Sequence, residues 1–314
     1  MKILAVKTHA FGDALLTTPA VRSLIQNGHR VTVVAGPSSL PVWERFPGIE
    51  GVVLSPAPCN PLKLFLWSVK NRQKGFHRAI HFGSSVHAKK WIGYISRCEV
   101  ISGANPETGF SKITPAAADY CRIAGVHCSD LRPVFPVLED ERRYVREITG
   151  DVPYVVLAPG GGRNPREYVP RKRWPMNRWT PVASMILSRG YRVFVAGGSD
   201  DLQDVSTVPG VSLAGKLTWG QTAALTAGAE LFCGNDSGPA HLAVAAGVPS
   251  VVLFGPTDPS ALYPRGSIVP LRSTAECSPC YSNSVFPGCY DGSDCMESIT
   301  VEKVLETIEG NLGQ

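Results

Sequence analysis

The residues with the clearest chemical potential lie in GNDSGPAHLAVAAGVPSVVLFGPTDP, residues 234–259. A carboxylate (Asp236), a hydroxyl (Ser237) and Gly238 precede Pro239, a residue suited to the first position of a helix. His241 falls in the first turn of that helix. Backbone N–H groups at a helix N-terminus attract anions, so the grouping suits a phosphate or pyrophosphate. The same residues would also serve a plain capped helix, with Asp236 or Ser237 as the N-cap. A cap, however, needs only one of them.

A matching stretch, THAFGDALLTTPAVRSLI, spans residues 8–25. Gly12-Asp13 stands where a first strand feeds a first helix, the place where open α/β sheets bind ligands. A carboxylate there can take a proton from a hydroxyl; it can equally complement the helix dipole. His9 is a second, weaker base candidate. Together the two stretches suggest a cleft between two nucleotide-fold halves.

Three further groups qualify. The loop PGGGRNPREYVPRKRWP (159–175) joins mobile backbone to several cations, among them Arg163 and Arg166; such cations suit phosphate oxygens. It lacks the G-K-[ST] ending of a P-loop. In AGGSDD (196–201), Asp200 or Asp201 could reach ribose hydroxyls or merely form a surface turn. Cys277, Cys280, Cys289 and Cys295 have the look of a tetrahedral knuckle for structural zinc or iron, with free thiols or disulfides as the alternative. The other cysteines (59, 98, 121, 128, 233) read as ordinary core or surface residues. Lys63, Lys70, Arg72, Lys74, Lys89 and Lys90 form either a solvated face or an acceptor-side surface.

These groups need elements to hold them. KILAV (2–6), a helix over 13–25 and VTVVAG (31–36) give a strand–helix–strand order, and continuous apolar strands mark a parallel sheet covered by helices. Pro19 inside the helix predicts a first turn or a kink. Weaker strands read at 52–54, 79–83 and 99–103, an amphipathic basic helix at 62–78 and another helix at 115–125. Pro133, Pro136 and Pro153 surround a charged helix, EDERRYVREITGD, that leads into a domain boundary. The rhythm then restarts: strands at 154–160, 191–198, 211–215, 230–236 and 249–255, with helices at 176–189, 218–229, 239–246 and 301–311. The reading is two Rossmann-like domains, 1–150 on the acceptor side and 151–314 for the nucleotide.

With 314 residues, 44% of them hydrophobic and 18% charged, the chain can build large cores. A net charge of +5 fits an anionic ligand but is too small to argue for nucleic acid. The first apolar run is cut by Lys7, too short for a signal-peptide core, and no apolar run spans a bilayer. The chain is therefore expected in the cytoplasm, with peripheral contact at the inner membrane open to it.

GDALLTTPAVRSL, PGGGR…RKRWPMNRW, GNDSGPAHLAVAAGVPSVVLFGPTDP and the C-x-x-C…CM segment, in that order, resemble glycosyltransferase family 9, the ADP-heptose:lipopolysaccharide heptosyltransferase family. The resemblance implies a GT-B fold, two Rossmann-like domains with parallel sheets facing across a cleft. It implies an inverting transferase that uses a nucleotide sugar, typically ADP-heptose, with no catalytic cofactor. Asp13 would be the base, Lys172 a donor-phosphate contact, and Asp236, Ser237, Gly238 and His241 the pyrophosphate seat. Ribose contact would fall near Asp200; His9, Gly12, Arg163 and Arg166 are acceptor or phosphate candidates, and the 160–171 loop that carries the arginines, Arg171 among them, matches no family consensus. The acceptor could be a lipopolysaccharide core or other glycan, lipid-linked, protein or small-molecule. A nicotinamide oxidoreductase is disfavoured because no G-x-G-x-x-G follows the first strand. A non-catalytic nucleotide-sugar binder of the same fold remains as an alternative. A zinc-knuckle nucleic-acid binder lacks the basic–aromatic interleaving.

Overall fold

The computed structural model describes residues 1–55, 69, 75–103, 114–161, 163–164, 167–281, 289 and 295–313, with backbone alone at 163, 164, 167 and 168. The chain forms two compact units, Met1–Pro136 with Ser260–Pro264, and Val137–Pro259 with Arg265–Gln314.

In the first unit β1 (Lys2–Lys7) is buried from Ile3 onward, because a parallel sheet covered on both faces excludes water from its central strand. β2 (Arg30–Ala35), β3 (Gly51–Leu54), β4 (Arg78–His81) and β5 (Glu99–Ser102) complete the sheet in the order β3-β2-β1-β4-β5. Every pairing is parallel. Strand order reverses between β1 and β4, so a crevice at the C-terminal ends of these strands is the natural ligand site. Helix α1 (Phe11–Gln26) leaves β1 and carries Asp13 in its first turn.

Pro19 lies inside α1, well beyond its first turn. Proline cannot donate to the carbonyl of Leu15 four residues back. The Thr18 hydroxyl donates to that carbonyl instead, at 2.6 Å. α2 (Val86–Ser96) begins at Ser85, whose hydroxyl accepts from the Ala88 N–H at 3.2 Å. α3 (Ala116–Ala124) packs on α1 and stops at Gly125, which takes a left-handed φ of 68°. The turn beyond it brings Cys128 back to Cys121, and the two form a disulfide. That corrects their reading as ordinary core or surface residues. The basic segment 62–78 falls mostly outside the described residues.

The second unit repeats the plan. β6 (Tyr154–Ala158) lies in a six-stranded sheet, and a separate antiparallel pair, β7 (Arg163–Asn164) with β8 (Glu167–Tyr168), follows it. The sheet adds β9 (Arg192–Val195), β10 (Val211–Ser212), β11 (Leu231–Asn235), β12 (Ser250–Phe254) and β13 (Val269–Arg272) in the order β10-β9-β6-β11-β12-β13. All of its pairings are parallel. Here the order reverses between β6 and β11.

α4 (Glu139–Thr149) belongs to this unit and packs on α6 (Trp219–Ala227). α5 (Trp179–Ser188) covers the sheet, with Trp179 edge-on to Trp174 at 5.2 Å. The Trp174 indole donates to Ile299 O at 2.8 Å and so ties down the approach to α8 (Val301–Glu309), which buries Val304 and Ile308. α7 (Gly238–Ala246) follows β11, and Leu242 and Ala243 are buried in it.

Candidate functional site

The first unit places a cation at the end of β1. Lys7 is buried, and its Nζ donates to Asp13 Oδ2 at 3.2 Å, Tyr120 Oη at 3.1 Å and Phe82 O at 3.4 Å. Burial alone would push the Lys7 pKa down, but Asp13 and the Tyr120 hydroxyl outweigh it and hold it above the usual lysine value. The Tyr120 phenol is pushed up to about 12, chiefly by burial. Asp13, with 51% of its side chain exposed, faces solvent from the other side of the pair. The helix start it occupies has no side-chain cap, and Ala10 before it holds φ 55°, a conformation that L-residues rarely adopt. His9 Nδ1 is 2.6 Å from Thr8 Oγ1. His81, at the end of β4, contacts Ser102 Oγ at 3.0 Å. Burial lowers its pKa to about 4, assisted by the charges of Lys7 and His9, so its ring is neutral near pH 7.

The second unit gathers its polar groups at the β6/β11 reversal. Asp236 is buried just beyond β11, where its Oδ2 accepts from Lys172 Nζ at 2.8 Å and from Thr257 Oγ1 at 3.0 Å. Burial would raise the Asp236 pKa, but Lys172, His241 and the Thr257 hydroxyl together hold it below the usual carboxylate range. The Lys172 ammonium also lies 5.0 Å from the centre of the Tyr281 ring. Ser237 is the N-cap residue of α7, yet its hydroxyl donates back to Asn235 O at 3.1 Å and no side chain caps the helix. The first turn of α7 thus presents its backbone N–H end beside Lys172's partner, the arrangement that receives phosphate.

A brace holds these groups in register. Asn235, fully buried, donates to Pro159 O at 2.6 Å and Gly160 O at 3.1 Å, and accepts from Trp174 N at 3.1 Å. Arg173 donates to Gly161 O at 2.7 Å, Asp201 Oδ1 at 2.6 Å and Asp204 Oδ2 at 2.8 Å. The loop passes so close that a Cβ on Gly160 would sit 2.4 Å from the Asp201 carboxyl carbon. A Cβ on Gly161, at φ 109°, would sit 2.8 Å from Ser237 Cβ.

The model of glycosyltransferase family 9 (heptosyltransferase) matches residues 112–290. The chain belongs to glycosyltransferase family 9. As a family 9 member it is a glycosyltransferase. It is 27% identical to lipopolysaccharide heptosyltransferase 1 of Pseudomonas aeruginosa over 89% of this chain and 86% of that one. A family 9 glycosyltransferase from Veillonella parvula superposes with a TM-score of 0.79 at 22% identity, covering 98% and 96% of the two chains. The E. coli heptosyltransferase WaaC with ADP-2-deoxy-2-fluoro heptose gives 0.71 at 17% identity, covering 99% and 100%. The family 9 chain therefore has the GT-B architecture, α/β with two parallel sheets.

Of the sequence candidates in this family 9 chain, Asp13 is joined to Lys7, and Lys172 is joined to Asp236 beside His241, Ser237 and Gly238. Gly12 is half-buried in α1 and His9 sits in the loop before it. Asp200 is exposed, while its neighbour Asp201 turns inward to Arg173 and to the Gly198 N–H. Arg166 and the side chain of Arg163 lie outside the described residues.

The four-cysteine metal knuckle is not shown among the described residues. Among the described residues no group of three or more His, Cys, Asp or Glu side chains is placed to hold a metal. Cys295 is buried in the apolar core with Met296 and Ile299. The Cys280 thiol is raised by partial burial and by its neighbours Cys277 and Cys289.

Sequence reading did not single out Lys7, Tyr120, Thr257, Asn235 or Arg173. Asn235 and Thr257 lay inside the motif at 234–259. A lysine closing a buried apolar strand was the one available signal for Lys7.

Proposed function

We propose that this enzyme moves a heptose from ADP-heptose to a hydroxyl of a lipopolysaccharide core, inverting the anomeric centre. The observation that carries the reading is Lys172, anchored by Asp236, which also accepts from Thr257, beside the α7 N-terminus at the sheet's reversal point. The Pseudomonas relative's name supports the acceptor class, and the sugar nucleotide named with the E. coli structure supports the donor.

In the reaction, the acceptor oxygen attacks the anomeric carbon from the face opposite the diphosphate. Its proton passes to the Asp13 carboxylate as the new C–O bond forms. The bond from the anomeric carbon to the diphosphate oxygen breaks, and ADP leaves with the electron pair. Lys172, the Ser237 and Gly238 N–H groups and the α7 dipole meet that charge. Asp236 is itself an anion, so its part is to hold Lys172 and Thr257 rather than to touch phosphate. A lipid-linked acceptor would bring the enzyme to the inner membrane face as a peripheral visitor. No helix among the described residues is long and apolar enough to cross a membrane.

The test is incubation with ADP-heptose and a heptose-deficient lipopolysaccharide, read by ADP release and product mass, beside a thermal-shift screen of ADP-, GDP- and UDP-sugars. Expected are a heptose added to the core and a shift with ADP-sugars alone. Asp13→Ala should lower kcat on the order of 10²- to 10⁴-fold with ADP affinity retained. Preference for another nucleotide, or turnover that survives Asp13→Ala, would overturn the corresponding part of the reading.

A further inference from the structure

Among the described residues Lys7 stands out as a buried lysine at a strand end, where removal of an ammonium from water is costly. An ammonium has three N–H donors. Lys7 faces three acceptors, Asp13 Oδ2, Tyr120 Oη and Phe82 O. Its donors are therefore committed within the protein, which argues against a direct substrate contact. Two of the acceptors are rigidly placed. Phe82 directly follows β4, and its ring meets the Tyr120 ring edge-on at 5.6 Å. Tyr120 sits in α3, which packs on α1. The third acceptor, Asp13, is the half-exposed one. A short carboxylate on the first turn of a helix turns freely about its side-chain bonds unless something pins it. The other charged or titratable groups around the cluster are His81, His9 and Asp119.

We propose that Lys7, braced by the Tyr120 hydroxyl, is a positioning residue that fixes Asp13 Oδ2 so that Oδ1 meets the acceptor hydroxyl. The inference rests on Asp13 being the base. Lys7 then acts through Asp13, on the chemical step and not on donor capture. Misplacing a reacting group by about 1 Å can cost on the order of a hundredfold in rate.

The experiment compares Lys7→Met, Lys7→Arg, Tyr120→Phe and Asp13→Asn with the unaltered enzyme. Transfer is assayed with ADP-heptose and heptose-deficient lipopolysaccharide, donor hydrolysis with water as acceptor, and binding with ADP alone. Lys7→Met should lower kcat on the order of a hundredfold while ADP affinity stays within about twofold. Tyr120→Phe should show the same pattern at on the order of a tenfold loss, and Lys7→Arg should recover part of the rate. A Lys7→Met enzyme with unchanged kcat, beside an inactive Asp13→Asn, overturns this inference and leaves the base reading standing. An active Asp13→Asn overturns both. If Lys7→Met does not fold, Tyr120→Phe decides by the same readouts, since it removes a single oxygen.

Discussion

Asp236 puts a buried negative charge beside the place proposed for a diphosphate, which on Coulomb grounds alone is a poor choice. Its value lies in what it holds. Lys172 comes from a short turn, 64 residues away in sequence, and Asp236 supplies the ion pair that directs its ammonium. Asp236→Ala is therefore expected to weaken ADP binding on the order of tenfold although it removes a like charge. Isothermal titration with ADP checks this, and tighter binding would show that Asp236 only opposes the ligand. Asp236 was legible as a candidate from its own motif, and Lys172 from the family resemblance. Their pairing was not, and neither was the choice between Asp200 and Asp201. Adjacent carboxylates look alike in sequence, and the guanidinium of Arg173, 28 residues from Asp201, decides which one turns inward. Lys7 was opaque for the same reason: its meaning depends on Tyr120, 113 residues away.

Helix α1 shows how an element that carries a candidate base tolerates a proline. Thr18 Oγ1 donates to Leu15 O at 2.6 Å and accepts from Val134 N at 2.8 Å, which links the helix to a segment far along the chain. Thr18→Val keeps the shape and deletes both bonds in a buried setting. A destabilisation of about 1–3 kcal/mol should follow, chiefly because the buried Leu15 carbonyl loses its partner. Urea unfolding measures it, and an unchanged midpoint would mean that α1 rearranges around Pro19. The strand–helix rhythm of both units was readable because buried parallel strands are continuous apolar runs. β13 escaped because Pro270 interrupts it, and proline is accepted there since β13 is the edge strand. α2 escaped because Lys89 and Lys90 drew attention as charge, although Ser85 offered an N-cap signal.

Across the whole molecule, the two units should answer to different perturbations. In the first, His81 is held neutral with a pKa of about 4, against about 6.5 in the unfolded chain. Above pH 6.5 neither state takes the proton and His81 leaves stability unchanged. Between pH 6.5 and 4 the unfolded chain binds it and the folded unit does not, so stability falls with pH by about 3 kcal/mol in all. Below pH 4 this contribution levels off. The paired carboxylate of Asp236, in the second unit, has its pKa lowered and contributes stability that is lost only under more acid conditions, so the two windows separate. His81→Asn keeps a polar partner for Ser102 and should flatten the slope between pH 6.5 and 4. In the second unit, ADP at about a hundredfold excess over its Kd should add about 2.7 kcal/mol by mass action. Scanning calorimetry at pH 7 and 4.5, with and without ADP, reads both. The expected result is a pH-sensitive contribution that His81→Asn abolishes and an ADP-sensitive contribution that it leaves intact. An acid slope unchanged in His81→Asn would refute the buried neutral imidazole, and the absence of any ADP shift would refute the diphosphate seat at Lys172 and α7.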